Sequence, residues 1–470
     1  VNLGTLTLDL PALSARWLGE PLLTFAHGVA HSDPKVGIPY AGPSSYGTSR
    51  HRDTVNVGLV ATAQGVEVVR AFLESAADGV DGDESHYPFP GCRSDRGFRT
   101  QLRLSDASTA LITAAEQRSI LEPAKGPRER FEELLDTLDA RMRDLAACAT
   151  PVDLIVVVLP ADVARRCGTA DYLEHGHRVR RDLSAAFKAR SMQYRMPTQM
   201  IWESISGLTA DHDTGHTHEA EIAWDLFTAL YFKADGCPWS PADVAAGTCF
   251  VGIDSYRPLQ GHSQMQARLA HAFAETGDGF VLRPVLRERS GRQLHLDAEE
   301  AATLITAVRQ QYEHHFSRRP QRVVVHKRTP FNEAERAGYL DALSDVEFDL
   351  AVVRPWDHMR LLRNGEYPPH RGTLYSFGQE SFLYTTGTLA VSGLYPNDHM
   401  SGPVSVSDHV GHSSQDQLLR DILLLTKMNW NNGRYAERMP VTLQFADHVG
   451  SVLTEMGPDP QPEAKFAFYI

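Results

Sequence analysis

The sequence predicts an α/β protein of two domains: a Rossmann-like open sheet over residues 1–236, then an RNase H-like sheet over 237–470. Three observations predict it. The first half alternates apolar strands with amphipathic helices, the pattern of a mostly parallel sheet covered by helices. The alternation breaks into glycine and proline in KADGCPWSPADVAAG (233–247). Beyond that break come three strand-like segments, a crossover helix, a further strand and a helical end, the element order of an RNase H-like domain.

In the first domain VNVGLVAT (55–62) reads as a buried strand, and Val66, Val69, Leu73 and Ala76 follow at helical spacing. A helix is expected near 127–147, with Pro127 suited to its first turn and Phe131, Leu134, Leu138, Met142 and Leu145 along one side. DLIVVVLP (153–160) is a continuous apolar run, as expected for a strand buried on both faces. A basic helix over 178–195, a short strand PTQMIW (197–202) and a helix through Trp224, Phe227 and Tyr231 complete the domain.

The second domain opens with the strand TCFVGID (248–254). MQARLAHAFAE (265–275) and GFVLRPVL (279–286) follow as an antiparallel meander. Asp297 and Glu300 form a capping box for a helix over 298–316. That helix delivers the chain to RVVVH (322–326). The strand FDLAVV (348–353), a strand-rich stretch over 372–391 and two last helices follow.

Composition narrows the function. Of 470 residues, 42% are hydrophobic and 22% charged, and no apolar run is long enough to span a bilayer. VNLGTLTLDL lacks the basic start and apolar core of a signal peptide. The five cysteines are scattered with no CxxC, against a disulfide framework or a zinc finger. A cytoplasmic location is the expectation. The histidine pairs HGH (175–177), HTH (216–218) and HH (314–315) lack partners at ligand spacing, so no zinc site is expected. The net charge of −13 counts against a simple nucleic-acid binder, but residues 178–195 hold six cations against Asp182 alone, a field suited to phosphate. A small-molecule binder on the Rossmann-like half would need a glycine-rich fingerprint after its first strand, and VATAQGVEVV (60–69) lacks one.

Several stretches together carry a specific resemblance: VGID (251–254), VVVH (323–326), LLLTKMNWNN (423–432), PVTLQFADHVGSVL (440–453), FKAR…PTQ (187–199) and YFKADG (231–236). Taken along the chain, in the family's order and at roughly its spacing, they resemble the short prokaryotic Argonautes, of the catalytically inactive type. The resemblance implies a MID domain over 1–236 and a PIWI domain over 237–470. In cleaving Argonautes the strand at 322–328 reads like His-Arg-Asp, its Asp holding metal. Alignment on His326 puts Lys327 on the Arg and Arg328 on the Asp. Asp254 matches the first catalytic aspartate and Asp447 the last ligand. Glu288 lies in the region of the mobile glutamate without a context that singles it out. A guanidinium cannot coordinate a cation, so a two-metal nuclease is not expected, and Arg328 is expected to pair with Asp254 or Asp447. A nuclease using Asp254, Asp447 and a third ligand is the alternative.

For the guide's 5′ phosphate the resemblance implies Lys188, Gln199 and Lys233, with Ser184 at the position where the family carries an aromatic, His or Arg. Arg180, Arg181, Arg190 and Arg195 are expected along the nucleic-acid backbone. The carboxylate of Ile470 is expected to help hold a Mg²⁺ beside that phosphate. The implied partners are a short guide RNA, a single-stranded DNA target and an APAZ-containing effector protein (TIR, sirtuin-like or nuclease) in an anti-plasmid or anti-phage system.

Overall fold

The computed structural model of the protein describes residues 14–204, 207–209, 218–256, 259, 265–282, 285–288, 295–364, 368–377, 380–390, 393, 395, 402–456 and 463–470. In the first half, Gln101–Leu111, Thr54–Ala61, Leu154–Pro160 and Thr198–Ser204 lie side by side as parallel strands. Gly207–Thr209 closes the edge antiparallel. Leu154 through Leu159 are all fully buried, which explains their unbroken apolar run. The helix Ala63–Ala77 starts at Thr62, whose hydroxyl accepts from the Gly65 amide at 3.0 Å. The helix Pro127–Ala146 buries Phe131, Leu134, Leu138, Met142 and Leu145, the face read from the sequence.

In the second half, the strands run Gly279–Val281, Met265–Ala274, Thr248–Tyr256, Arg322–Lys327, Glu347–Pro355 across the sheet. The first three pair antiparallel and the last two join in parallel, the RNase H-like order the sequence predicts. The crossover helix Ala298–Phe316 carries the expected capping box, with Glu300 N donating to Asp297 at 2.8 Å. Val404–Gly411, Glu380–Leu383 and Thr373–Phe377 extend the sheet antiparallel.

Two features depart from the sequence reading. Residues 178–195 are not one basic helix. His177–Asp182 is a strand paired with Thr169–Glu174, and only Leu183–Ser191 is α-helical. Asp182 ends the strand and caps that helix, accepting from Ala185 N at 2.9 Å. The N-terminal segment also belongs elsewhere than 1–236 implies. Ser14–Trp17 pairs antiparallel with Thr373–Phe377 and forms the far edge of the second sheet. Glu20 then lies between Arg371 Nε (3.0 Å) and Lys427 Nζ (2.8 Å), all three buried or nearly so.

The two sheets share one apolar core. Trp224, Phe227 and Leu230 of the helix Glu219–Lys233 belong to the same packed cluster as Leu418, Leu443 and Val449 from the second half. The segment LTKMNWNN (425–432) and Gly433 after it help build this junction. Trp239 Nε1 donates to Lys427 O at 2.9 Å, and Gly433 N donates to Asp225 at 2.8 Å. A Cβ at Gly433 would lie 2.8 Å from the Trp224 Cβ, so a bare backbone is needed for this approach. Among the described residues, no helix is long and apolar enough to cross a membrane.

Candidate nucleic-acid interface

Strand alternation decides what the tip at 326–328 presents, because successive side chains point to opposite faces. His326 and Arg328 face the helix Val441–Glu455, while Lys327 faces the other way. His326 Nδ1 hydrogen bonds with Thr442 Oγ1 at 2.9 Å. Lys327 Nζ is buried and donates to both oxygens of Glu335 at 2.6 Å. The two cations therefore do not act together, and only Arg328 reaches the acidic pair.

Arg328 forms a bidentate pair with Asp447, at 2.7 and 2.6 Å, and also donates to Leu443 O at 3.0 Å. Its Nη1 lies 3.8 Å from Asp254 Oδ2. The hydrogen bonds to Asp447, then its charge and that of Asp254, hold the guanidinium above its ordinary range. Asp254, Arg328 and Asp447 thus converge as the sequence implies, with the guanidinium paired to both carboxylates. The oxygens of Asp447, and to a lesser extent those of Asp254, are thus directed at a guanidinium, a group that cannot itself coordinate a cation. Glu288 ends the strand Val285–Glu288, and its side chain lies outside the described residues.

The helix carrying Asp447 is seated by close approach. Gly252 pairs with both His271 and His326, and a Cβ there would overlap the Thr442 carbonyl. His271 Nε2 donates to that carbonyl. Burial lowers His271 to about 4 and His326 to about 3, so both are neutral imidazoles.

The same helix packs on Leu183–Ser191, which carries Ser184 and Lys188. Lys233, the last residue of its helix, donates through Nζ to Gln199 Oε1. Lys188 Nζ donates to Tyr469 O at 3.3 Å, beside the buried Ile470. Burial pushes Lys188 down to about 8, and burial followed by the charge of Lys188 pushes Lys233 well below the usual lysine range. Buried Lys233, half-buried Lys188 and the Gln199 amide therefore lie close together, near enough for the charge of one lysine to act on the other. Ser184 is half-buried, one turn before Lys188 on that helix.

The predicted run of arginines is not an unopposed positive face. Arg181 pairs with Glu132 and with Glu455, the latter at 2.8 Å. Arg190 pairs with Asp136 and lies 3.7 Å from Glu132, and Arg195 lies 3.2 Å from Glu463. Arg180 is exposed, opposite Asp171 in the strand pair. The acids come from the helix Pro127–Ala146 and from the chain's end, which a linear window over 178–195 cannot contain. Sequence reasoning also missed Glu335 and the Glu20–Arg371–Lys427 cluster. The only available signal for the first was an acid eight residues beyond Lys327.

No protein-family model matches the sequence, and no curated protein does. Among solved structures the chain is similar to Clostridium butyricum Argonaute bound to a guide DNA and a 19-mer target DNA. The identity is 14% and the TM-score 0.67, over 97% of this chain and 55% of that one. It is also similar to Aquifex aeolicus Argonaute (14%, TM-score 0.58, 97% and 57%) and to Drosophila Piwi (14%, TM-score 0.57, 97% and 56%). The chain spans little more than half the length of these structures. With its Rossmann-like sheet followed by an RNase H-like sheet, it carries an Argonaute-like fold, consistent with MID and PIWI domains.

Proposed function

We propose that this chain is a guide-directed recognition module that binds a short 5′-phosphorylated guide, pairs it with a complementary strand and does not cut that strand. The observation that carries this reading is the guanidinium of Arg328 paired with Asp447 and Asp254, where two-metal hydrolysis needs anionic oxygens free to hold cations. Lys188, Gln199 and Lys233, with Ser184 nearby, supply donors and charge for the guide's terminal phosphate. Exposed Arg180 is available to the nucleic-acid backbone. Arg181, Arg190 and Arg195 must each exchange a carboxylate for a phosphate to join it.

The reading extends to a guide of RNA, a target of single-stranded DNA and a cytoplasmic setting. A Mg²⁺ beside the guide phosphate would neutralise phosphate charge there. Base pairing then reads sequence while the protein reads the terminal phosphate and backbone shape, a division used by other guided systems. An associated protein carrying an APAZ region and an effector (TIR, sirtuin-like or nuclease) would respond to pairing, in defence against plasmids or phages. The test is binding and cleavage with a matched guide and target in Mg²⁺ or Mn²⁺. Guide-dependent capture of the target without cleavage is expected. Metal-dependent cuts lost in Asp254→Ala would overturn the reading.

A further inference from the structure

We infer that Glu455 is an internal substitute for a strand phosphate: it holds Arg181 when no strand is bound and yields it to the nucleic-acid backbone on loading. This rests on the guide-binding reading above and adds the regulation of that binding. Glu455 ends the helix Val441–Glu455 of the second half, and Arg181 belongs to the strand His177–Asp182 of the first. Arg181 Nε donates to Glu455 Oε2 at 2.8 Å, and Nη2 lies 2.8 Å from the same oxygen. Nη1 is bound by Glu132. The guanidinium lies 4.7 Å from the centroid of the Phe131 ring, which helps fix its plane. The Arg181 and Glu455 side chains are 12% and 4% exposed, so this pair is enclosed. A carboxylate in the last turn of a helix faces the negative end of the helix dipole, so its place there depends on the guanidinium. Burial raises Glu455 above the usual carboxylate range, and the charge and hydrogen bond of Arg181 offset this only in part. Leaving Arg181 enclosed without an anion is costly, so Glu455 can leave only if another anion replaces it. A phosphate offers two oxygens to the guanidinium fork, as a carboxylate does.

An anion has a way in. Arg181 lines a cavity of about 810 Å³ together with Arg128, Arg190 and Arg195. Those three are also held by acids: Glu174 at 2.8 Å, Asp136, and Glu463 at 3.2 Å. The cavity lies on the side of Leu183–Ser191 that carries Ala186, Ala189 and Arg190, across that helix from Ser184 and Lys188. It is therefore distinct from the terminal-phosphate pocket. The two meet at the start of the helix, where Asp182 follows Arg181 and acts on Lys188 through its charge. A strand that leaves Lys188 around this helix start comes next to Arg181. Exchange there unties Glu455, and with it the end of the helix that carries Asp447.

The test is Glu455→Gln, which keeps the size and the acceptor oxygen and removes the charge. Affinity for a short 5′-phosphorylated oligonucleotide and for its 5′-hydroxyl form is expected to rise about tenfold in both cases. The slope of log K against log[salt] should steepen by about 0.7, one more phosphate contact on a single strand. In an Arg181→Met background Glu455→Gln should change neither quantity. On the unaltered chain, carbodiimide labelling of Glu455, mapped by mass spectrometry, should rise when the strand binds, while Glu335 against Lys327 stays unlabelled. Equal affinity and slope in Glu455→Gln, a gain that persists without Arg181, or labelling of Glu455 unmoved by the strand would overturn the clasp even where the unaltered chain binds guide. If neither the unaltered chain nor Glu455→Gln binds either strand, the guide-binding reading fails and the clasp fails with it.

Discussion

Raising the pH from 7 to 9 should weaken binding of a 5′-phosphorylated guide by about tenfold through Lys188 alone, at constant ionic strength. In the empty pocket burial holds Lys188 at about 8, against an ordinary lysine near 10.4. At pH 7 the amine is mostly charged, and keeping it so costs the empty protein up to about 3 kcal/mol. A phosphate dianion beside it removes that penalty and restores the ordinary affinity for the proton. Above pH 8 the amine must therefore take up a proton on binding, and affinity falls about tenfold per pH unit. Lys233, also pushed down by burial and then by the charge of Lys188, acts in the same direction. The stability of the guide-free protein has the opposite sign. Between about pH 8 and 10.4 the unfolded chain binds more protons at this lysine than the folded one, so this contribution rises with pH. Fluorescence anisotropy with an adenine- and cytosine-rich oligonucleotide, bearing either a 5′ phosphate or a 5′ hydroxyl, separates the two effects. Lys188→Met should abolish the Lys188 part of the slope and raise the melting temperature of the empty protein at pH 7. A flat affinity for the phosphorylated strand between pH 7 and 9, or an equal fall for the hydroxyl strand, would refute this account.

Other perturbations test the second sheet. Arg328→Asp should gather three carboxylates and create a Mn²⁺ site; millimolar Mn²⁺ should then raise the melting temperature of the variant by several degrees and leave the unaltered chain unmoved. Gly252→Ala should cost about 3 kcal/mol or more in denaturant unfolding, because its Cβ overlaps the Thr442 carbonyl on which Val441–Glu455 is seated. His271 and His326, lowered to about 4 and 3, bind fewer protons folded than unfolded below pH ~6.5. Stability should therefore fall as the pH drops from about 6.5 toward 4, and His326→Asn should flatten that fall in chemical denaturation. Lys327→Met should cost about 3 kcal/mol by leaving Glu335 buried without its cation, whereas Lys327→Met/Glu335→Leu should recover most of it.

Elements whose identity rests on local pattern were legible in the sequence. The run at 154–159 read as a doubly buried strand, and the Asp297–Glu300 box marked its helix to the residue. The meeting of Arg328 with Asp447 was readable only through the family resemblance, since residues 119 apart share no local signal. What was not legible depends on the partner across space. Residues 178–195 read as a basic helix because the alternation of His177–Asp182 is masked by arginines, whose acids lie on other elements. Lys327 read as part of a cationic tip because nothing local says which side of a central strand is closed by Glu335.

The route taken by the N-terminal segment has a consequence for handling this molecule in pieces. Ser14–Trp17 hems the sheet that the far end of the sequence builds, and Glu20 is the counter-charge for Arg371 and Lys427, both fully enclosed. A scissor cut at the apparent boundary near residue 236 would strip that sheet of a border strand and strand two cations in an apolar interior. Fragments made at that boundary should be insoluble alone and recover only when co-expressed, so dissection of this protein has to begin after Glu20 is accounted for.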